Sequence, residues 1–145
     1  MSVTTVNVLR LVTVAFAAIV VAACEGRAQA GCDDLLAALK KKPDTLEYRG
    51  CKERSDLQGK PWQASYRVPG ARAADVERYL AKELTLKTLR RTCCLWESVE
   101  NSFRDTAGRL FLITMSTEET AIDTREDWGK IPYFYVTVNR YREDP

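Results

Sequence analysis

The stretch that decides the fold is WQASYRVPGARAADVERYLAKEL, which spans Trp62–Leu84. Up to Val68 apolar and polar residues alternate, as they do in a strand with one buried face. Pro69 and Gly70 end this strand. From Ala71 onward the apolar residues recur at helical spacing instead. A strand followed at once by an amphipathic helix, each with one apolar face, predicts an α+β domain in which the helix packs on a sheet.

The residues before this stretch predict a short helix and one more strand. The helix begins at Cys32 and Asp33, where a carboxylate suits the positive N-terminal end, and it stops at Pro43. The strand runs from Leu46 to Cys51. The first half of the chain therefore has the order helix, strand, strand, helix.

The residues after Leu84 predict a meander of three strands: Arg90–Phe103, Arg109–Ser116 and Tyr133–Tyr141. The middle strand of the meander is apolar on both faces, so we expect it in the middle of the sheet. The chain thus predicts an antiparallel sheet of about five strands with two helices packed on one face, stapled by disulfides. The expected order is α-β-β-α-β-β-β.

Length, charge and the lack of histidine exclude several function classes. A chain of 145 residues is one small domain, and 46% hydrophobic residues allow a packed core. Lys and Arg number 22 against 20 Asp and Glu, so no excess of positive charge is present to bind nucleic acid. The absence of histidine excludes Ser-His-Asp triads, Cys-His pairs and most catalytic zinc sites. We therefore expect a protein that is not an enzyme and uses neither cofactor nor metal.

The N-terminus has the features of an export signal in the usual order. Arg10 is followed by the apolar stretch Leu11–Ala23, which is shorter than the ~20 residues that span a bilayer. This combination predicts a signal-peptide core. The alternative is a buried N-terminal helix of a cytosolic protein.

Two cleavage sites follow this apolar core. Val21–Cys24 resembles a lipobox, cut between residues 23 and 24, after which Cys24 carries lipid. Ala28–Ala30 resembles an ordinary signal-peptidase site, cut between residues 30 and 31. We therefore interpret residues 1–30 as a signal peptide or lipoprotein leader and residues 31–145 as a single α+β domain. The predicted location is the periplasm, or the outer membrane facing the periplasm if Cys24 is acylated.

Either cleavage leaves four cysteines in the mature domain: Cys32, Cys51, Cys93 and Cys94. An even number in an oxidising compartment predicts two disulfides. Neighbouring cysteines in a strand point to opposite faces, and a bond between them is strained. We therefore expect Cys93 and Cys94 each to pair with one of Cys32 and Cys51. A four-cysteine zinc site and a redox-active dithiol are the alternatives, and both lack the usual Cys-x-x-Cys spacing.

Aromatic residues near the C-terminus indicate a binding surface. Tyr133 and Tyr135 alternate with Phe134 and therefore face away from the core. With Arg140 nearby, they resemble a protein-binding surface that has large rigid side chains and charge at its rim. The alternative is that the loop Thr117–Asp127 covers this face of the sheet.

Carboxylates are the remaining groups with acid–base or metal-binding chemistry. Glu118, Glu119 and Asp123 crowd one loop and are expected to contact a basic region of the same partner or to be solvated. The alternating ligands and tight-turn glycine of a calcium loop are missing there. Glu97 and Glu100 cannot share a face of one strand, so they do not form the carboxylate pair of a glycosidase.

Several short motifs in this chain resemble those of one family: Cys32-Asp33 near the mature start, Lys42-Pro43, Gly50-Cys51, Tyr66-Arg67-Val68-Pro69-Gly70, Cys93-Cys94-x-Trp96 and Trp128-Gly129-x-Ile131-Pro132. That family consists of short exported proteins of Gram-negative bacteria and is defined as a domain of unknown function. The resemblance covers essentially the whole mature chain. It implies a short exported protein, and it implies no activity.

These observations favour a non-enzymatic exported binding protein of the cell envelope, in its sharpest form an immunity protein that inhibits a delivered toxin. The expected partner is another protein. Membrane contact is expected only through lipid on Cys24, and nucleic acid is not expected as a partner. The alternatives are an envelope hydrolase that uses a carboxylate pair and a structural lipoprotein without a specific ligand.

Overall fold

The computed structural model describes residues 31–143, so the predicted leader, residues 1–30 with Cys24, lies outside the described residues. The elements, in chain order, are α1 (Leu35–Ala38), β1 (Glu47–Glu53), β2 (Trp62–Pro69), α2 (Gly70–Leu84), β3 (Arg90–Thr92), β4 (Leu95–Glu97), β5 (Asn101–Arg104), β6 (Leu110–Thr117), a 3₁₀ helix (Arg125–Lys130) and β7 (Tyr133–Arg140).

Within the described residues, the strands form one seven-stranded antiparallel sheet in the order β1-β2-β7-β6-β4-β3, with β5 paired to β6. The predicted α+β class and antiparallel sheet are confirmed. The doubly apolar strand β6 lies inside the sheet, between β7 on one side and β4 and β5 on the other. The last strand, β7, also lies inside it, between β2 and β6.

The predicted count of five strands is too low because the expected strand Arg90–Phe103 is divided into three. The chain first reverses at Cys93 and Cys94, which connect β3 to β4 in a hairpin. Cys93 has a φ of 54°, and a two-residue hairpin turn of this kind usually carries glycine or asparagine. The chain bends a second time between Glu97 and Asn101, so β5 is a separate strand. The observed order is α-β-β-α followed by β3 to β7.

Both helices pack on one face of the sheet, which we call the inner face. The inner face carries the buried residues of the central strands: Ala64, Tyr66, Val68, Phe111, Ile113, Met115, Phe134, Val136 and Val138. From α2, Ala73, Val76 and Leu80 pack against them. The Tyr66 hydroxyl fixes α1, since it accepts a hydrogen bond from Leu36 N at 3.0 Å and donates one to an Asp34 carboxylate oxygen at 3.0 Å.

Three of the short sequence motifs meet on the inner face. Trp96 packs edge-to-face on Trp128, with ring centroids 5.2 Å apart. Gly70 begins α2 where the backbone of the 3₁₀ segment passes: an added Cβ would lie 2.1 Å from Trp128 O and 2.2 Å from Ile131 O. A side chain at position 70 therefore does not fit. These motif residues form the core and the helix start.

The disulfide pairing differs from the prediction. Cys32 is bonded to Cys51, with a Cα–Cα distance of 5.3 Å, and Cys93 and Cys94 carry free thiols. The expectation that the neighbouring cysteines reach back to Cys32 and Cys51 was wrong because it assumed that they lie in a strand. They form a hairpin turn instead, remote in the sheet from β1.

Among residues 31–143, no helix combines the length and the apolar character that a bilayer span requires.

Candidate functional site: the outer face of the sheet

The outer face of the sheet is the side opposite the helices. Its central residues are all half-buried, in contrast to their fully buried inner neighbours: Ser65, Arg67, Thr114, Ser116, Tyr133, Tyr135 and Thr137. Tyr133 and Tyr135 therefore lie on the predicted side of β7. Strand alternation produces this arrangement directly, since successive side chains point to opposite faces.

The loop between β6 and β7 makes its strongest described contacts with inner-face residues. The Trp96 indole nitrogen donates to Ile122 O at 2.9 Å, and the Arg91 guanidinium donates to Ile122 O at 2.5 Å and to Thr120 O at 2.6 Å. Trp96 and Arg91 are paired directly across β3 and β4 and so share a face. The alternative in which this loop covers the two tyrosines is not favoured by these contacts.

Tyr133 borders a charged ladder that crosses β2 and β1. The Arg67 guanidinium lies 4.4 Å from the centroid of the Tyr133 ring. The same guanidinium donates to the Glu47 carboxylate at 2.7 and 3.2 Å, and Arg49 donates to it at 2.6 Å. Hydrogen bonds from Arg67 and then Arg49 hold the pKa of Glu47 below its ordinary value. Arg67 is thus held in place on the tyrosine ring by its carboxylate partner.

Tyr135 borders the acidic loop on the other side. It is paired across the sheet with Ser116, and its hydroxyl lies 3.4 Å from a carboxylate oxygen of Glu118. Glu119 and Asp123 are exposed further along this loop, and Glu119 lies near Cys94. The structure therefore brings Glu118 to the tyrosines.

Arg140 does not belong to this surface. It is 8% exposed and shares the inner side of β7 with Val138 and Phe134. Its guanidinium lies 4.0 Å from the centroid of the Trp62 ring, and burial lowers the pKa of Arg140. The expectation that Arg140 forms the rim of the tyrosine surface was wrong because an arginine stem and head can be buried against an aromatic ring.

A cleft of about 640 Å³ is lined by the connection between α2 and β3 and by β4 and the bend that follows it. Glu97 and Glu100 both line it, because the chain bends between β4 and β5, and Lys87 and Arg90 line it as well. Both residues therefore line one cleft although they do not share a strand. Glu100 is exposed and Glu97 is half-buried, so both remain hydrated. A general acid in a hydrolase is usually shielded from water.

No group of three or more Cys, Asp or Glu residues among residues 31–143 is arranged to hold a metal ion.

Residues 20–96 match the model of a family described as a domain of unknown function, DUF4952. The chain belongs to this family. The match includes the Cys-Cys-x-Trp element and confirms the family that the motifs indicated. The DUF4952 match ends at Trp96, before β5, β6 and β7, and so it does not include Tyr133 or Tyr135. No curated protein and no solved structure matches the chain.

The sequence interpretation missed one feature of this DUF4952 chain, the cysteine turn. Cys93 and Cys94 form the two-residue loop between β3 and β4. Such loops usually carry glycine, asparagine or aspartate, which tolerate a positive φ. None of these residues is present in the loop, so no local residue pattern indicated the hairpin.

Proposed function

We propose that the chain is a non-enzymatic exported binding protein of the cell envelope that contacts another protein through the outer face of its sheet. The observation that supports this proposal is the position of Tyr133 and Tyr135, half-exposed on the face of the sheet opposite both helices. A tyrosine side chain offers a large contact area at a low cost in conformational entropy.

The neighbours of the two tyrosines suit a protein surface. Hydroxyl groups of Ser65, Ser116 and Thr137 lie around Tyr135 and offer adaptable hydrogen bonding, a combination also used by antibody binding sites. Arg67 is already held by Glu47, so binding of a partner costs less side-chain conformational entropy at this residue.

In its sharpest form the proposal is an immunity protein, which occupies a delivered toxin and so blocks it. Small size, an export signal and the absence of histidine suit that role. The location proposed for it is the periplasm, or the periplasmic side of the outer membrane if Cys24 carries lipid. In that case the lipid is the only membrane contact.

The binding proposal is tested by a pull-down. The product of the adjacent gene is co-expressed with this chain, and the amount that this chain captures is measured. We expect the double substitution Tyr133→Ala and Tyr135→Ala to weaken binding at least about tenfold, as the loss of central aromatic residues does. Leu57→Ala is the matched control, because Leu57 is an exposed apolar residue in the β1–β2 connection. Equal recovery of both variants would contradict the proposed surface.

Export has its own test. Residues 1–35 fused to a reporter that is active only outside the cytoplasm should give signal. Palmitate labelling that disappears in Cys24→Ala would assign the lipoprotein route, and a protein that begins at residue 31 would assign the other. Reporter silence with an intact N-terminus would exclude export.

An envelope hydrolase is the second candidate, and the cleft that holds Glu97 and Glu100 is the observation that favours it. Glycan hydrolysis that is abolished by Glu97→Gln and by Glu100→Gln would select it. A structural lipoprotein without a specific ligand would instead leave both the binding and the hydrolysis assays negative.

A further inference from the structure

The turn between β3 and β4 holds two free thiols on adjacent residues. Thr92 pairs directly with Leu95, so Cys93 and Cys94 are the whole loop of the hairpin. Cys93 is exposed, Cys94 is half-buried, and neither is in a disulfide. An incoming thiol reagent therefore reaches Cys93 first.

Hydrogen bonds from residues outside the two-residue loop stabilise the conformation of this turn. Cys93 has a φ of 54°, in the left-handed region that residues other than glycine adopt at a cost in free energy. The Arg91 side chain donates to Cys93 O at 3.2 Å, and Thr120 N donates to Cys94 O at 2.7 Å. These two hydrogen bonds keep both cysteines at one corner of the hairpin.

The two thiols are on neighbouring residues of a two-residue loop. A hydrogen bond with the Cys93 thiol and then partial burial raise the pKa of Cys94. Cys94 therefore retains its proton at neutral pH. The exposed thiol suits the role of attacking group, and the half-buried thiol suits the role of the group that closes the bond afterwards.

We propose that Cys93 and Cys94 form a reversible dithiol–disulfide pair, chemically separate from the structural disulfide between Cys32 and Cys51. The oxidant is a disulfide, either of a small thiol or of a protein. The Cys93 thiolate attacks one sulfur of that disulfide, its S–S bond breaks, and one thiol leaves with a proton. Cys94 then loses its proton and attacks Cys93 Sγ, which expels the second thiol. Two electrons and two protons pass from the pair to the oxidant.

Chain geometry explains why this bond is reversible. All peptide bonds of the described residues are trans, and adjacent Cα atoms across a trans bond are about 3.8 Å apart. Disulfides usually join Cα atoms roughly 4.4–6.8 Å apart, so a bond within the turn is strained and more easily reduced. Cys32 and Cys51, at 5.3 Å, lie within the usual range.

The experiment is a redox titration of the purified chain in buffers that step the ratio of reduced to oxidised glutathione. Samples are quenched with N-ethylmaleimide and digested with trypsin, and the fragment masses are measured by mass spectrometry. The fragment Thr92–Arg104 contains both turn cysteines and neither of the other two. As the buffer becomes more oxidising, we expect this fragment to lose both maleimide labels together. Its mass should then be two hydrogens below that of the reduced, unlabelled fragment. The equilibrium constant for oxidation by oxidised glutathione should be at least about tenfold smaller for Cys93–Cys94 than for Cys32–Cys51.

Cys94→Ser is the comparison variant. Cys93 then has no neighbouring thiol, so its reaction with oxidised glutathione should end at the mixed disulfide. Three results for the unsubstituted chain would overturn the proposal: both labels retained at every ratio, a glutathione adduct as the end product, or a cross-link to the fragments that hold Cys32 or Cys51. The result for the unsubstituted chain decides the question even if the variant does not fold.

Discussion

Substitution of Arg125 by leucine should lower the free energy of unfolding by about 2–3 kcal/mol. Arg125 begins the 3₁₀ helix and holds it to α2, where Glu77 is only 8% exposed. Its guanidinium donates to the two Glu77 oxygens at 2.7 and 3.0 Å and to Leu89 O at 2.6 Å. It also lies 4.4 Å from the centroid of the Trp128 ring.

The magnitude follows from what the substitution leaves behind. Without Arg125, the Glu77 carboxylate is buried with a single described donor, Leu89 N at 2.8 Å. Removal of one partner of a buried ion pair costs about 3–5 kcal/mol. The Arg125 side chain is 38% exposed, so water can reach part of the vacated space and the cost falls to roughly 2–3 kcal/mol.

A double-mutant cycle isolates this ion pair. Arg125→Leu, Glu77→Gln and the double variant are unfolded in urea and followed by tryptophan fluorescence. We expect a coupling energy of about 1.5–2 kcal/mol. The control cycle uses Arg72 and Asp75, an exposed pair at 3.3 Å on α2, for which we expect less than about 0.5 kcal/mol. Equal coupling in the two cycles would refute the assignment of Arg125 as the partner that anchors the buried Glu77 carboxylate.

Three further predictions concern other parts of the chain. Joint substitution of Cys32 and Cys51 by serine should cost about 3 kcal/mol, the chain-entropy value for a loop with a sequence separation of 19, measured by urea unfolding. Gly70→Ala should lower the melting temperature in a thermal scan by several degrees or prevent folding, because its Cβ would overlap the backbone of the 3₁₀ segment. The pKa of Glu47 lies below its ordinary value of 4.5, so its stabilisation is present above that pH and is lost as pH falls through the folded pKa. NMR titration should show this low midpoint, and Arg67→Gln should raise it; an unchanged midpoint would contradict the hydrogen-bonded ladder.

Local patterns predicted the parts of the fold that local physics controls. The change of period after Val68 located β2 and α2, because one alternates with a repeat of two and the other with a repeat of 3.6. The apolar run in β6 predicted its position inside the sheet. Alternation along β7 also placed Tyr133 and Tyr135 on the outer face.

The errors arose where distant parts of the chain meet. The pairing of Cys32 with Cys51 depends on where the residues before α1 lie relative to β1, and no short-range sequence pattern indicates that. Arg140 follows the inner alternation of β7, but its charge suggested a surface position because the covering Trp62 is remote in sequence. At Cys93 the turn needs a positive φ, and the residues there are not those that usually signal one.

The position of β7 between β2 and β6 has a consequence for how the protein is made. The first two strands and the later hairpins lie on opposite sides of β7, so neither half can complete the sheet before the last strand has emerged. A chain with this arrangement leaves its first two strands without their central neighbour until its synthesis is nearly finished, so the sheet closes in one late step.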